Sequence, residues 1–180
     1  MPVTPSLDCN DGETMSSPTQ VDRQVADFPL SFDAIIGRIG APIFILDADH
    51  EVVLWNDGMV ALTGSSEADA RAADSVGEAW YQDGRRAKTL ADKVLEAPRD
   101  AHREFDVDRI DDGDYPEYRD RSTFTDTRGE TRHIVFSAAP LYDGDELVGV
   151  VELVKDRTED VRRRRRVEEL VEEVRSTMQI

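Results

Sequence analysis

Ile43-Phe44-Ile45-Leu46-Asp47-Ala48-Asp49-His50-Glu51-Val52-Val53-Leu54-Trp55-Asn56 places two β-rich apolar runs on either side of a polar turn. Runs of this length and composition, separated by five polar or small residues, predict a β-hairpin. Asn56 and Asp57 can each cap a helix. Met59, Val60 and Leu62 supply its apolar side, and Gly64 ends it. Hairpin, cap and short helix therefore follow one another within about twenty residues.

Upstream, Phe32, Ile35, Ile36 and Ile39 recur at i, i+3, i+4 and i+7, one apolar face of a short helix. Ser31 can cap its start, Gly37 and Gly40 weaken its end, and Pro42 stops it. Residues 1–24, with Pro2, Pro5, Pro18 and many Ser, Thr and Asp, are expected to be a disordered polar tail, because they offer too little apolar surface to offset ordering entropy. The segment 25–40 is expected to be a flanking helix.

Downstream, Ser66 and Asp69 have the spacing of a capping box. In residues 71–87 Val76, Trp80 and Tyr81 are the large anchors. Leu90, Val94 and Leu95 predict a helix ending near Pro98. Residues 103–107 are expected to form a short strand, with His102 just before it, and 108–117 an acidic loop around Gly113 and Pro116. Strands are predicted over Ser122–Thr125, Thr131–Ala139 and Leu147–Val154, with turns at Asp126–Glu130 and Asp143-Gly144-Asp145. In Thr131–Ala139, Ile134, Phe136 and Ala138 share one face, Val135 and Ser137 the other. Helices grouped between two sets of antiparallel strands predict an α+β fold with a cleft under the helices.

Beyond Val154 the chain is charged and helical. Val167, Val171, Val174 and Met178 recur at spacings of 4, 3 and 4, a heptad seam flanked by glutamates. Two readings follow: a coiled coil between two copies, making a homodimer, or a solvated terminal helix lying on its own domain.

The chain of 180 residues has 39 Asp and Glu against 22 Lys and Arg, a net charge of −17. Charged residues make up 34% of it, above the usual ~25%. Lysines are confined to Lys88, Lys93 and Lys155. An acidic, lysine-poor coat suits a salt-rich cytoplasm such as that of a halophilic archaeon; an ordinary acidic protein is the alternative. The same charge argues against nucleic acid as a direct partner. No stretch is long and apolar enough for membrane insertion, and no secretion signal is evident, so a cytoplasmic location is expected. The single cysteine, Cys9, builds neither a disulfide framework nor a multi-cysteine metal site.

Several of these segments resemble a PAS domain, over about 32–160. Ile45-Leu46-Asp47 with Val52–Asn56 resembles the family's first hairpin, and Leu62-Thr63-Gly64 the end of its next helix, although Ser65 replaces an aromatic often found there. Ser75-Val76-Gly77, the turn Asp126–Glu130, Ser137–Leu141 and Leu147-Val148-Gly149-Val150 resemble later pieces in the family's order. Asp156-Arg157-Thr158-Glu159 resembles the D-x-T-E exit to an output helix. The likeness, which extends to PAS domains of haloarchaeal signal transducers, implies a PAS domain over 41–158 and a signalling helix over 159–180. It implies a five-stranded antiparallel sheet with short helices across one face, a cleft that is empty or holds a small molecule, and two-component kinases or taxis transducers as downstream partners. A cysteinyl-flavin photocycle needs a cysteine in the central helices, and Cys9 lies outside them. A haem-binding relative would carry a histidine in the helix at 85–96, which has none. Non-covalently held flavin or a small metabolite remains open.

Phe44, Met59, Leu62, Trp80, Leu90, Val94, Phe124 and Phe136 come from the elements expected to enclose the cleft, along with Trp55. They either fill the core or contact a ligand, with Met59, Trp80 and Phe124 nearest to it. Asp156, Arg157 and Thr158 are the expected relay to the exit helix. His50, His102 and His133 are too scattered for a metal site and are read as structural or surface residues. The arginine run 162–166 either meets an acidic partner or a membrane surface, or neutralises neighbouring carboxylates. Paired acids such as Asp111-Asp112 have no nucleophile or histidine beside them, so no catalytic residue is assigned and no enzyme is expected. Three readings stand: sensory input module, ligand-free dimerisation or scaffold domain, and, least supported, a small hydrolase.

Overall fold

The computed structural model describes residues 31–81, 87–110, 116–125 and 129–178. The polar tail 1–24 with Cys9, residues 25–30, the acids about Gly113 and the turn residues Asp126–Arg128 lie outside the described residues. The elements are α1 (Phe32–Gly37), β1 (Ile43–Asp47), β2 (Val52–Trp55), α2 (Asp57–Thr63), α3 (Glu67–Ala72), α4 (Val76–Trp80), α5 (Leu90–Glu96), α6 (Ala101–Glu104), β3 (Asp108–Arg109), β4 (Tyr118–Thr125), β5 (Thr131–Asp143), β6 (Glu146–Asp156) and α7 (Thr158–Met178).

All six strands join one antiparallel sheet in the order β2-β1-β6-β5-β4-β3. The first hairpin meets the last through β1 and β6, where Ile43 lies opposite Leu153 and Asp47 opposite Gly149. Side chains alternate across the sheet. Phe44, Leu46, Ile134, Phe136, Ala138, Val150 and Val154 point into the core with Met59, Trp80, Leu90 and Val94 from the helices. Ile45, Val135 and Val151 on the other face are half-buried.

The first hairpin closes on Asp47, whose Oδ1 accepts hydrogen bonds from the N–H groups of Asp49 and Glu51 at 3.0 and 2.9 Å. Asn56, 5% exposed, does more than cap α2. Its Oδ1 accepts from the Met59 N–H at 3.1 Å and from the Ile43 N–H at 3.0 Å. Its Nδ2 donates to the carbonyls of Ala41, Ile36 and Ile39 at 2.9, 3.3 and 3.4 Å. One side chain thus joins the end of α1, the start of β1 and the first turn of α2. Gly64 ends α2 in the left-handed conformation at φ 80°. The Ser66–Asp69 capping box forms as the spacing predicts, and its serine hydrogen bonds hold the Asp69 carboxyl below its ordinary range. Arg71 on α3 donates to the Val52 and Val53 carbonyls, which covers the outer edge of β2.

Five expectations are corrected. The sheet has six strands where five were expected: β3 is only two residues long, pairing with Tyr118 and Arg119, too short to show a period of two. Residues 103–107 are not a strand, because Ala101–Glu104 is helical and Asp106 turns the chain at φ 53°. His102 therefore sits in α6, not before a strand. The apolar pattern Phe32–Ile39 is helical only to Gly37, and Ile35 and Ile39 are 37% and 39% exposed. β5 also runs four residues past the expected Ala139, because β6 pairs with it from Ile134 to Asp143.

Gly149 allows β6 to pass β1 closely: a Cβ there would lie 2.3 Å from the Leu46 carbonyl oxygen. Gly149→Ala is expected to lower the unfolding midpoint through backbone displacement of β1. Asn56→Ala strands buried N–H and C=O groups on three elements and should cost about 3 kcal/mol of unfolding free energy. Urea titration in molar KCl measures both.

Candidate functional site

The site is built around α5. Thr89 and Asp92 form a second capping box at its start, one that the sequence reading passed over. The Asp92 carboxylate also meets His50 Nδ1 of the β1–β2 turn at 2.8 Å. Lys93 Nζ reaches Asp120 of β4 at 2.8 Å. The Ala91 N–H donates to Glu152 Oε2 of β6 at 2.7 Å. These contacts hold one seven-residue helix to the hairpin turn, an outer strand and a central strand at once.

Glu152 is 1% exposed, between Val150 and Val154 on the core side of β6. Burial pushes its carboxyl up to about 8, against the lowering effect of the Ala91 N–H; the Asp92 and Asp120 carboxylates add to the rise and Lys93 opposes it. At neutral pH the group is mostly protonated. The sequence reading placed it within an apolar strand. The available signal was an acid at an inward position of a period-two pattern.

Beside α5 a groove of about 390 Å³ opens between α4, α5, β4 and β5. Trp80, Leu90 and Phe136 give it apolar walls, and Lys93, Asp120 and Ser122 give it polar ones. Its size falls in the range of small-molecule pockets. The Trp80 ring lies 5.6 Å from Phe136 and 6.1 Å from Phe124, centroid to centroid. The eight side chains expected at a cleft thus share one apolar cluster. Trp80, Leu90 and Phe136 reach the groove; Phe44, Met59 and Val94 are fully enclosed by protein; Leu62 and Phe124 pack against the cluster from its edge.

The three histidines are placed apart. His50 faces Asp92, His133 lies on β5, and His102 stacks on Tyr118 at 6.2 Å with its Nδ1 buried and without a hydrogen-bond partner. Burial also raises the Tyr118 hydroxyl, which donates to the Pro98 carbonyl at 3.1 Å. Among the described residues no three His, Cys, Asp or Glu side chains come together to hold a metal ion.

The exit from the sheet is pinned. The Arg157 N–H donates to the His133 carbonyl at 2.7 Å, and the His133 N–H donates to Thr158 Oγ1 at 2.9 Å. Asp156 Oδ1 accepts from the Thr158 N–H at 2.8 Å, and its Oδ2 pairs with Arg132 at 3.3 Å. Thr158 is fully buried, so the first residue of α7 belongs to the packed domain. From there α7 runs unbroken to Met178, with Val167, Leu170, Val171, Val174 and Met178 exposed. Among the described residues no helix is long and apolar enough to cross a membrane.

Hairpin, short helices, three-strand return and pinned exit are the architecture of a sensory PAS domain, and the family's PAS-fold model matches residues 30–157. The chain belongs to the PAS family. It is 34% identical over 152 residues to Halobacterial transducer protein 9 of Halobacterium salinarum, covering 83% of this chain and 31% of that protein. The chain thus spans under a third of that relative's length. Among solved structures it is similar to an RNA-binding Light-Oxygen-Voltage receptor (TM-score 0.50, 19% identity, 96% of this chain and 42% of that one). It is also similar to the PAS domain of an HTR-like protein from Haloarcula marismortui (TM-score 0.44, 12% identity, 76% and 93%).

Glu152 makes stability depend on pH with a definite sign. Its carboxyl is raised in the folded chain, so its contribution is full below the ordinary carboxyl range and is lost as pH rises from about 4.5 through about 8. Thermal melts from pH 5 to 8.5 should show wild type losing stability relative to Glu152→Gln as pH rises. A constant difference between the two would show that Glu152 is not protonated in the folded chain.

Proposed function

We propose that the chain is the input module of a cytoplasmic signalling protein. It takes up a small ligand or a partner at the α5 groove and passes its state through α7 to an output such as a histidine kinase or a taxis transducer. The observation that carries this reading is the exit clamp. His133 on β5 holds both Arg157 and Thr158, so a change in strand position is delivered to the first turn of α7 without a flexible linker between them. The likeness to a halobacterial transducer points the same way. The ligand would be a metabolite or flavin held without a covalent bond. The exposed seam Val167, Val171, Val174 and Met178 supports a homodimer. The acidic coat, with a net charge of −17, suits a salt-rich cytoplasm.

A ligand shifts this equilibrium only if it prefers one arrangement of α7 over another. A second reading, a ligand-free dimerisation or scaffold domain, is favoured by the complete enclosure of Phe44, Met59 and Val94.

Protein purified in molar KCl and denatured is expected to release a small molecule at about one per chain, identified by mass spectrometry; a core without a ligand would release none. With α7 joined to a histidine-kinase output, one alanine inserted after Thr158 rotates everything beyond it by ~100°. Signalling should be inverted or abolished. Unchanged signalling would rule out a rotational relay.

A further inference from the structure

The face of the sheet turned away from α5 carries a second groove, of about 630 Å³, that the sensory reading does not use. Its floor follows from register. Arg119, Ser137 and Leu153 form one cross-strand row, and Arg121, Val135 and Lys155 form the next. Rows two residues apart share a face and lie about 7 Å from each other. The wall is α7, where Arg157, Asp160, Val161 and Arg164 follow at i, i+3, i+4 and i+7 on one side of the helix. The groove is therefore the angle between the outer sheet and the helix that leaves it, and an occupant touches both.

Its charge runs against that of the chain. Five of its lining side chains are cations and two, Glu117 and Asp160, are acids, in a chain whose net charge is −17. Elsewhere Arg71, Lys88 and Lys93 are matched with Glu67, Glu96 and Asp120 at 2.8, 2.6 and 2.8 Å. In the groove Arg157 is paired with Asp160 at 3.0 Å, and Arg121 faces Asp108 at 3.9 Å. Arg119, Lys155 and Arg164 have no acidic partner among the described residues, and Arg119 Nε is buried without a hydrogen-bond partner. A guanidinium N–H taken out of water without an acceptor is costly, and an anionic oxygen is the acceptor that offsets this best.

Two further features narrow the occupant. Arg121 and Lys155 flank Val135 from the strands on either side, about 10 Å apart at their Cα atoms, so one small molecule with separated anionic groups can meet both. Between the cations the surface is apolar, with Val135, Val161 and Leu153, the last 40% exposed. The volume falls in the range of small-molecule sites. We propose that this groove binds a small organic polyanion, with carboxylate or phosphate groups on an apolar body.

The full chain in 1 M KCl is titrated into 8-hydroxypyrene-1,3,6-trisulfonate, a planar trianion, and fluorescence anisotropy is read. At this salt, charges more than about 3 Å apart are screened, so only direct contacts hold the dye. Saturation at one dye per chain is expected, with Arg119→Gln and Lys155→Gln each raising Kd about tenfold. Lys155 is exposed and unpaired, so its replacement leaves the fold intact. Displacement by adenosine triphosphate would assign the phosphate class, and displacement by benzene-1,3,5-tricarboxylate the carboxylate class; displacement by neither would overturn the proposal. So would a Kd that Lys93→Gln raises and Lys155→Gln does not, which places the dye in the α5 groove, or one raised by Arg166→Gln alone, which places it on the exposed arginine run. Dye binding that disappears as the chain dimerises at higher concentration would show that protein covers this face, and would overturn it as well.

Discussion

The fold hangs on the side chain of Asn56. Three segments that share no secondary structure, the end of α1, the start of β1 and the first turn of α2, each leave backbone groups without a partner of their own. A single amide, with two donors and an acceptor, satisfies groups on all three from a buried position. Apolar packing alone would not set the angle between them, because it is non-directional. Hydrogen bonds fix it, and with it the line of β1 on which β6 docks.

From β1 the constraint passes to the middle of the sheet. β6 lies between β1 and β5 and carries Glu152, which spends one carboxyl oxygen on the Ala91 N–H of α5. A buried acid is costly when charged, so the site tolerates it mainly as the neutral form. α5 is therefore tied to the sheet by a bond whose strength changes with protonation, while His50 and Asp120 hold its other sides. The groove lined by Trp80, Leu90 and Phe136 lies beside this helix, so an occupant there would press on the most heavily tethered element of the domain.

The far end of β5 and β6 is held by hydrogen bonds that reach into α7. The Arg157 N–H and the Thr158 hydroxyl both bond to the backbone of His133, Asp156 accepts from the Thr158 N–H, and Thr158 is buried although it opens a largely exposed helix. These bonds join the first turn of α7 directly to β5, with no loop between them. Charge divides sharply along α7, with arginine near the sheet and glutamate beyond.

Much of this was legible in the sequence because it depends on neighbours along the chain. The first hairpin, the Ser66 capping box, the left-handed Gly64, the inward set Ile134, Phe136 and Ala138 and the extent of α7 all follow from period, caps and turn chemistry within a few residues. The two-residue β3 left no period to read, and Phe105 and Val107 imitated a strand until Asp106 turned the chain between them. Only the tertiary structure decided that β1 pairs with β6, that Glu152 loses its water, that Asn56 serves three segments and that Arg119, Lys155 and Arg164 gather around one groove. Each of these joins residues far apart in the chain. Desolvation, sheet register and the pairing of charges depend on distance in space, which a local pattern of residues does not encode.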